Sequence, residues 1–306
     1  MKGAHHMPPA SPLFTGCATA LITPFRGGEI DKTAYLRLLR HQIDGGVDAL
    51  VVAGTTGESP TLTDDEKKWL FTITVEEVVT SGRQIPVIAG TGSNNTRRAV
   101  ELSRMAEDCG VDGLLVVTPY YNKASEEGLI AHYETVTRAT SLPVIPYHVP
   151  SRTGCKMSPA ACKKLASLPR IVGLKDATGD LSFTARVASL CGDSLPLYSG
   201  NDDLTLPILS LGGAGVISVV SNLCPEAMTR LCRLWREGKT AEARALQLSL
   251  IPLCDALFCE VNPIPVKAAM EMLGLCNAEV RLPLSPADEG VRRRVGEALE
   301  KINPYL

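Results

Sequence analysis

Eight short apolar segments alternate with amphipathic helical patterns along the 306-residue chain. Each segment is apolar on consecutive residues, which is typical of parallel strands that are covered on both faces. Eight strand–helix units over about 220 residues fit an α/β fold of the (β/α)8 TIM-barrel type, because that barrel takes roughly 250 residues. The predicted strands are residues 18–22, 49–53, 86–89, 113–118, 144–147, 171–175, 195–199 and 215–219.

The helical segments between these strands have recognisable ends. Thr63 is followed three residues later by Glu66, which is a capping-box pattern. Ser158 stands before Pro159, and proline favours the first position of a helix. An open doubly wound sheet would instead carry a G-x-G-x-x-G turn after its first strand, and none is present there. The barrel is therefore the better prediction.

The chain divides into three parts by pattern. From about Glu226 onward the sequence is helical throughout. We therefore predict a catalytic barrel over residues 13–235 and a helical C-terminal domain over residues 236–306. The polar, proline-rich residues 1–12 have no apolar core of the secretory type, so we expect a disordered leader or an expression remnant there.

Composition excludes several classes of function. The net charge of −2 provides no basic surface for nucleic acid or for an anionic membrane, and no apolar run is long enough to span a bilayer. Ten cysteines occur without a C-x-x-C pair, and no His/Cys cluster has the spacing of metal ligands. We expect no metal, and we expect the protein in the reducing cytoplasm.

Chemically useful side chains collect at the carboxyl ends of the predicted strands, where the active sites of such barrels lie. Hydroxyls, one arginine and Lys175 converge there, without a carboxylate pair or a Ser/His/Asp set. The segments concerned are residues 54–59, 118–122, 147–154, 175–176, 200–202 and 217–218.

Lys175 follows an apolar run and is followed directly by polar residues in "IVGLKDATGD". A lysine after an apolar run is most often exposed to solvent. In a buried position the amine would stay neutral and could attack a keto acid to form an imine. Nearby hydroxyls, including that of Tyr147, could carry protons, and backbone N–H groups of "GTTGES" could bind a carboxylate.

Each of these features also has an ordinary structural explanation. "GTTGES" fits a tight strand–helix turn as well as a carboxylate site, and Tyr147 alone would more often be a packing residue. Tyr120 and Tyr121 could fill a subunit contact. Arg152 could be a surface charge, and His148 more often serves its loop than catalysis. The conjunction of all of them at one mouth favours catalysis.

The motifs "GTTGES", "VVTPYYNK", "YHVPSRTG", "GLKDATGD", "GVISVVSN" and "NPIPVKAAM" occur in this order. Over a span from about Gly16 to the C-terminus, the chain resembles the 4-hydroxy-tetrahydrodipicolinate synthase family. The "GTTGE" loop and the lysine are shared by the wider superfamily of pyruvate-dependent class I aldolases. "TPYYN", "VPSRTG" and "NPIPVK" are more specific to the synthases.

This resemblance implies a set of catalytic roles. Lys175 would form the imine with pyruvate, and Tyr147 would donate and accept protons together with Thr55 and Tyr121. Tyr121 would reach into the site of a neighbouring subunit. No metal or organic cofactor would be needed, and the homologous enzymes are commonly homotetramers built from tight dimers.

The resemblance also implies where the substrates bind. Thr56, with the backbone of Ile217 and with Gly200, would line the pyruvate pocket. Arg152 would bind the carboxylate of L-aspartate 4-semialdehyde, the second substrate. The pathway would be the diaminopimelate route to lysine.

The family's feedback site for lysine would lie near Ser59, Asn94 and Tyr120. Two histidines and a glutamate of the inhibited enzymes correspond here to Asp64, Lys67 and Arg98. Arg98 would repel the ammonium group of lysine, so we predict weak or absent inhibition. A second departure is His148 in place of the usual asparagine, for which we expect a modest change in its loop.

Three other functions stay open on the sequence. A sister lyase acting on N-acetylneuraminate or on a 2-keto-3-deoxy sugar acid would keep Lys175 and Tyr147, but Arg152 in "PSRTG" argues against it. A catalytically inactive homologue would not be expected to keep Thr55 and Tyr121 as well. A nucleotide-binding α/β protein would need a phosphate loop.

Overall fold

A computed structural model describes residues 11–302 and residue 305. Apart from two short strands, β2 (Phe25–Arg26) and β3 (Glu29–Ile30), the sheet is a closed parallel barrel in the order β1-β4-β5-β6-β7-β8-β9-β10, with β10 pairing back to β1. The barrel strands are β1 (Gly16–Ala20), β4 (Ala49–Val52), β5 (Val87–Gly90), β6 (Gly113–Val117), β7 (Val144–His148), β8 (Leu174–Asp176), β9 (Leu197–Ser199) and β10 (Gly215–Ser218).

Helices occupy the segments between these strands and the C-terminal part of the chain. They are α1 (Lys32–Asp44), α2 (Asp64–Thr80), α3 (Thr96–Asp108), α4 (Glu126–Ala139), α5 (Pro150–Thr153), α6 (Pro159–Ala166), α7 (Leu181–Cys191), α8 (Thr205–Ser210), α9 (Pro225–Arg236), α10 (Thr240–Leu257), α11 (Ile264–Met272) and α12 (Glu289–Ile302). The (β/α)8 barrel with a helical C-terminal extension is thus confirmed.

The predicted helix starts are confirmed in detail. Thr63 accepts a hydrogen bond from the Glu66 N–H, and the Glu66 side chain accepts one from the Thr63 N–H, so both halves of the capping box form. The Ser158 hydroxyl accepts from the Ala161 N–H, with Pro159 at the first helical position of α6. These contacts fix where the chain turns at the strand–helix junctions.

All eight strands differ from the prediction at one end or both, by one to three residues, and two of these differences have a visible cause. The first strand ends at Ala20, because the Ile22 N–H leaves the strand ladder and donates to the side chain of Asn222 at 3.2 Å. The sixth barrel strand begins at Leu174, since Ile171 makes only an isolated bridge to Val144. Apolar character continues past both ladders because the flanking residues stay buried.

Three groups of apolar side chains form the core. One fills the barrel interior and includes Ala18, Val51, Ile88 and Ile217. A second lies between the strands and the outer helices. The third joins α9 to the C-terminal helices, where α10 packs against both α9 and α12.

The predicted division near residue 235 falls at the end of α9, which packs against both β1 and α10. We propose to keep that boundary between barrel and C-terminal domain. Apart from Ser11 and Pro12, the predicted leader at residues 1–12 lies outside the described residues. Within the described ranges, no helix combines the length and apolar character needed to cross a bilayer.

Candidate active site

Lys175 lies at the mouth of the barrel on β8. In the strand register it is paired with Tyr147 on β7 and with Tyr198 on β9. Its side chain is 6% exposed, and its Nζ lies 4.2 Å from the centroid of the Tyr147 ring. Burial lowers the pKa of Lys175 to about 8; the negative charge of Asp202 opposes this shift, and the positive charge of Arg152 adds to it. About a tenth of the amine is therefore neutral at pH 7, far more than for a lysine with the ordinary pKa.

Tyr147 is buried beside this amine. Burial raises the pKa of its phenol, while the positive charge of Arg152 and the hydroxyl of Thr55 lower that pKa. The phenol thus stays protonated at neutral pH and can donate a proton to a group held above Lys175.

The loop "GTTGES" follows β4 and carries Thr55 and Thr56. Two non-glycine residues of this turn, Ala53 and Glu58, have left-handed backbones with φ of 52° and 54°. Thr56 is buried, and its hydroxyl accepts a hydrogen bond from the Asn262 side-chain amide at 3.0 Å. The loop is therefore held in one defined conformation next to the amine.

One cavity of about 410 Å³ brings together most of the predicted site residues. Its walls include Thr55, Thr56, Tyr147, Arg152, Lys175 and Gly200. Arg152 is exposed, and its guanidinium donates to the Asn262 carbonyl at 3.2 Å, which holds it at the cavity wall. Ile217 is fully buried in β10 behind the wall, and Val219 stands at the wall in its place.

Tyr121 is not part of this cavity. Its side chain is 87% exposed and its backbone is left-handed, with φ of 72°. Its N–H donates to the Thr153 carbonyl at 3.1 Å, which fixes the turn that carries it. A large aromatic ring held outward in a strained conformation is a common feature of a subunit contact.

A second cavity of about 470 Å³ adjoins the first and shares Thr55, Tyr147 and Arg152 with it. Its further walls include Ser59, Lys67, Arg98 and Tyr120, of which Ser59 and Tyr120 were predicted as regulatory. Asn94, the third of that set, exchanges hydrogen bonds with Asn122 instead.

The charges of the second cavity are arranged around one ion pair. Arg98 is paired with Asp64 across α2 and α3. Lys67 is 7% exposed, and burial, together with the charge of Arg98, lowers its pKa. Two cations thus occupy the cleft where the resemblance had suggested a site for a cationic effector.

His148 and Asp176 serve the local structure, which the sequence had favoured for His148. Burial lowers the pKa of His148 to about 4, so the ring is neutral, and its Nε2 accepts from the Met157 N–H at 3.1 Å. Asp176 accepts from the Thr178 N–H at 2.9 Å and from the Thr184 hydroxyl at 2.6 Å. Neither group is free to act as a general base.

Four residues near the site received no role from the sequence: Glu58, Asp202, Asn262 and Lys267. Asp202 is buried and accepts from the N–H groups of Val219 and Val220 at 3.0 and 3.2 Å, so it fixes the end of β10. Asn262 and Lys267 belong to "NPIPVKAAM", a motif that had been quoted only for resemblance. The two polar side chains of this otherwise largely apolar segment were the sequence signal for its contacts with the "GTTGES" loop.

Within residues 11–302, no group of three or more His, Cys, Asp or Glu side chains is placed to hold a metal ion. All ten cysteines are free thiols, and eight of them are buried. The side chains that line the first cavity include an amine, hydroxyls and a guanidinium.

A parallel barrel with a buried lysine at a strand end, flanked by a tyrosine on the next strand, defines a lyase of the class I aldolase type. The family model described as "Dihydrodipicolinate synthetase family" matches residues 13–302. The chain belongs to this family.

Similar proteins cover nearly the whole chain. It is 43% identical to a 4-hydroxy-tetrahydrodipicolinate synthase of Clostridium novyi over 95% of this chain and 97% of that protein. Identity reaches 47% with the Thermotoga neapolitana protein of the same name, over 90% of this chain and 95% of that one.

Solved structures agree with the barrel in detail. The dihydrodipicolinate synthase of Thermotoga maritima superposes with a TM-score of 0.92 at 43% identity, covering 95% of this chain and 99% of that one. A structure described as the first monomeric dihydrodipicolinate synthase variant gives a TM-score of 0.93 at 43% identity, over 96% and 98% of the two chains.

Proposed function

We propose that this chain is a 4-hydroxy-tetrahydrodipicolinate synthase, which condenses pyruvate with L-aspartate 4-semialdehyde. The observation that carries the proposal is the buried Lys175 amine, with a pKa of about 8, in one cavity with Tyr147, Thr56 and Arg152. The names and the full-length coverage of the relatives support the same reaction. The product would serve the diaminopimelate route to lysine.

The first half of the reaction joins pyruvate to the enzyme. The neutral Nζ of Lys175 attacks the keto carbon, and the resulting carbinolamine loses water to give the imine. The Tyr147 phenol supplies the proton that leaves with the hydroxyl. The Thr56 end of the loop binds the carboxylate, and Thr55 passes protons between Tyr147 and solvent. The Tyr147 phenolate left by protonation of the hydroxyl then takes a proton from the methyl group, which converts the imine to an enamine and restores the phenol.

The second half forms the ring. The enamine carbon bonds to the aldehyde carbon of the semialdehyde, and the new alkoxide takes a proton from Tyr147. The substrate's own amine then attacks the imine carbon, closes a six-membered ring and releases the Lys175 amine. Arg152 binds the carboxylate of the semialdehyde through its guanidinium, which suits a planar two-oxygen anion.

The exposed ring of Tyr121 supports a role across a subunit interface. We propose a homotetramer made of tight dimers, in which Tyr121 completes the proton relay of the neighbouring site. Sedimentation of the full chain at assay concentration measures this assembly. A monomer with full activity would contradict it.

The reaction as proposed draws on no metal or organic cofactor, because the imine nitrogen of Lys175 accepts the electron pair. A chelator is expected to leave the rate unchanged. We also propose a cytoplasmic enzyme, since its ten free thiols are those of a reducing compartment.

The test is turnover of pyruvate with L-aspartate 4-semialdehyde, coupled to the reductase that consumes the product and read as loss of NADPH. Lys175→Ala is assayed beside the natural sequence. Turnover that disappears in the variant establishes both reaction and nucleophile. If turnover is absent while borohydride still traps pyruvate on Lys175, the aldehyde partner is a different one, as in the lyases of sugar acids.

A further inference from the structure

We propose that Glu58 and Lys267 are positioning residues, whose buried ion pair holds the loop of Thr55 and Thr56 in register with the Lys175 amine. The inference rests on the proposed function and adds to it a role for the C-terminal helices. It assigns neither residue a contact with substrate.

The ion pair itself is deeply buried. The Lys267 Nζ lies 2.5 Å from Glu58 Oε1, and the two side chains are 0% and 1% exposed. The Lys267 Nζ also donates to the Glu279 carbonyl at 2.7 Å and lies 4.1 Å from the centroid of the Phe25 ring. Lys267 is thus anchored by an ionic, a polar and an aromatic contact.

Glu58 is fixed from a second direction as well. Its other carboxylate oxygen accepts the Arg281 N–H at 2.9 Å, and the Arg281 guanidinium pairs with Glu66 at 2.5 Å. The Arg281 guanidinium also lies 4.3 Å from the Phe25 ring. Both anchors of Glu58, at Lys267 and Arg281, therefore come from beyond the barrel.

Glu58 transmits this anchoring directly to the catalytic loop. Its N–H donates to the Thr55 carbonyl at 3.1 Å, so the two residues close one turn. The intervening Gly57 has its carbonyl fixed by the Thr23 hydroxyl at 2.8 Å, and a Cβ there would lie 3.1 Å from the Leu21 carbonyl oxygen. A shift of Glu58 must therefore move Thr55 or distort the turn.

The energetic balance favours a positioning role over a purely stabilising one. A buried ion pair carries a large desolvation cost and is often no more stabilising than apolar residues of similar volume. Glu58 also has a left-handed backbone, with φ of 54°. What the pair provides, at these costs, is a defined position for the carboxylate and hence for the turn.

The experiment compares four variants of the full chain: Glu58→Gln, Lys267→Met, the double variant Glu58→Gln/Lys267→Met, and Leu299→Ala. Each single variant leaves one buried group without its partner, whereas the double variant removes both charges. Leu299, in α12, packs in the C-terminal core and serves as the stability control. Thermal midpoint, kcat, both KM values and the rate of borohydride trapping with pyruvate are measured well below every midpoint.

In the double variant we expect a thermal midpoint close to that of the natural sequence. Its trapping rate with pyruvate and its kcat should nevertheless fall by about 10²-fold, because misplacement by an ångström costs that much. The KM for the aldehyde, which Arg152 binds, should change less than twofold. Leu299→Ala should lower the midpoint and leave all rates unchanged.

A double variant with unchanged trapping rate and kcat would overturn the inference, because the pair would then act on stability alone. A loss of rate in Leu299→Ala in proportion to its midpoint would overturn it as well. Failure of the proposed function has a different signature. The natural sequence would then form the pyruvate imine without turning over the aldehyde, and trapping rates would still report on the loop.

Discussion

The Lys175 Nζ lies 4.2 Å from the centroid of the Tyr147 ring, and the two residues are direct register partners on adjacent parallel strands. Their side chains therefore emerge side by side at the barrel mouth, one as an amine and the other as a phenol. The electron-rich face of the ring favours the ammonium form of Lys175, whereas burial disfavours it. Burial is the larger effect, because the pKa of Lys175 is lowered to about 8.

The rate of imine formation should follow the neutral fraction of Lys175. Below about pH 8 that fraction rises tenfold per pH unit, and above this value it levels off. The measurement is the initial rate of borohydride-trapped adduct with pyruvate as a function of pH. A rate that continued to rise to the ordinary lysine pKa of 10.5 would contradict the lowered value.

Lys175→Met should reduce kcat by at least about 10⁴-fold. It should also raise the free energy of unfolding at pH 7. The pKa of Lys175 is lower in the folded chain than in the unfolded chain. Burial of the cation therefore destabilises the fold by its full amount below about pH 8, and this destabilisation disappears as the pH rises to 10.5. At about 1.4 kcal/mol per pKa unit, the gain at pH 7 should be about 3 kcal/mol.

Unfolding by denaturant at pH 7 and again at pH 10 measures this gain. The stabilisation should be large at the lower pH and small at the higher one. Equal stability of variant and natural sequence at pH 7 would show that Lys175 carries no burial penalty.

Tyr147→Phe should keep the ring above Lys175 and remove only the phenolic proton. We expect kcat to fall by about 10²- to 10⁴-fold, which is the usual contribution of a positioned acid–base group. The stoichiometry of borohydride trapping should stay complete after long incubation, since the amine is unchanged. A control, Tyr198→Phe, alters a phenol that donates to the Phe14 carbonyl at 2.9 Å, and it should keep kcat.

Tyr121 should act in the neighbouring subunit. Tyr121→Phe and Lys175→Met are each expected to be poorly active alone. In a mixed dimer, the Tyr121→Phe subunit provides an intact Lys175 and the Lys175→Met subunit provides an intact Tyr121. One complete site then forms, so mixing with subunit exchange should restore activity. The comparison is activity before and after exchange; no gain despite proven mixed dimers would place Tyr121 outside the relay.

L-Lysine should inhibit weakly or not at all. In the second cavity Lys67 and the paired Arg98 present positive charge, which repels the ammonium group of lysine. Initial rates are measured with increasing lysine at fixed substrates. The charge-reversed Arg98→Glu serves as the comparison and should be the more sensitive protein. Submillimolar inhibition of the natural sequence would contradict the prediction.

Much of the fold could be predicted because strand and helix signals are local. The eight apolar runs, the capping box at Thr63 and Glu66 and the proline start at Pro159 all depend on neighbouring residues. The short strands β2 and β3 escaped prediction, since two residues each carry no periodic signal. Boundaries such as that of β1 depend on a distant partner, Asn222, and could not be located in advance.

The positions of most candidate site residues could also be predicted, because they depend on where the strands end. The barrel brings its strand ends together, and each of these residues lies in the last residues of a strand or in the loop after it: Lys175, Tyr147, Thr55, Thr56 and Arg152. Asn262, just before α11, and Lys267, within it, follow no strand, so their positions along the chain gave no signal of contacts with the "GTTGES" loop. The exposed geometry of Tyr121 likewise depends on backbone strain that the sequence does not display.

The contacts of Asn262 with Thr56 and of Lys267 with Glu58 also set an order of events during synthesis. When the ribosome has released the eighth barrel strand, neither Asn262 nor Lys267 has yet emerged. A nascent barrel can therefore close its sheet before its threonine loop has received either anchor. The finished loop, and with it the imine chemistry proposed for Lys175, therefore requires a chain synthesised to beyond residue 267.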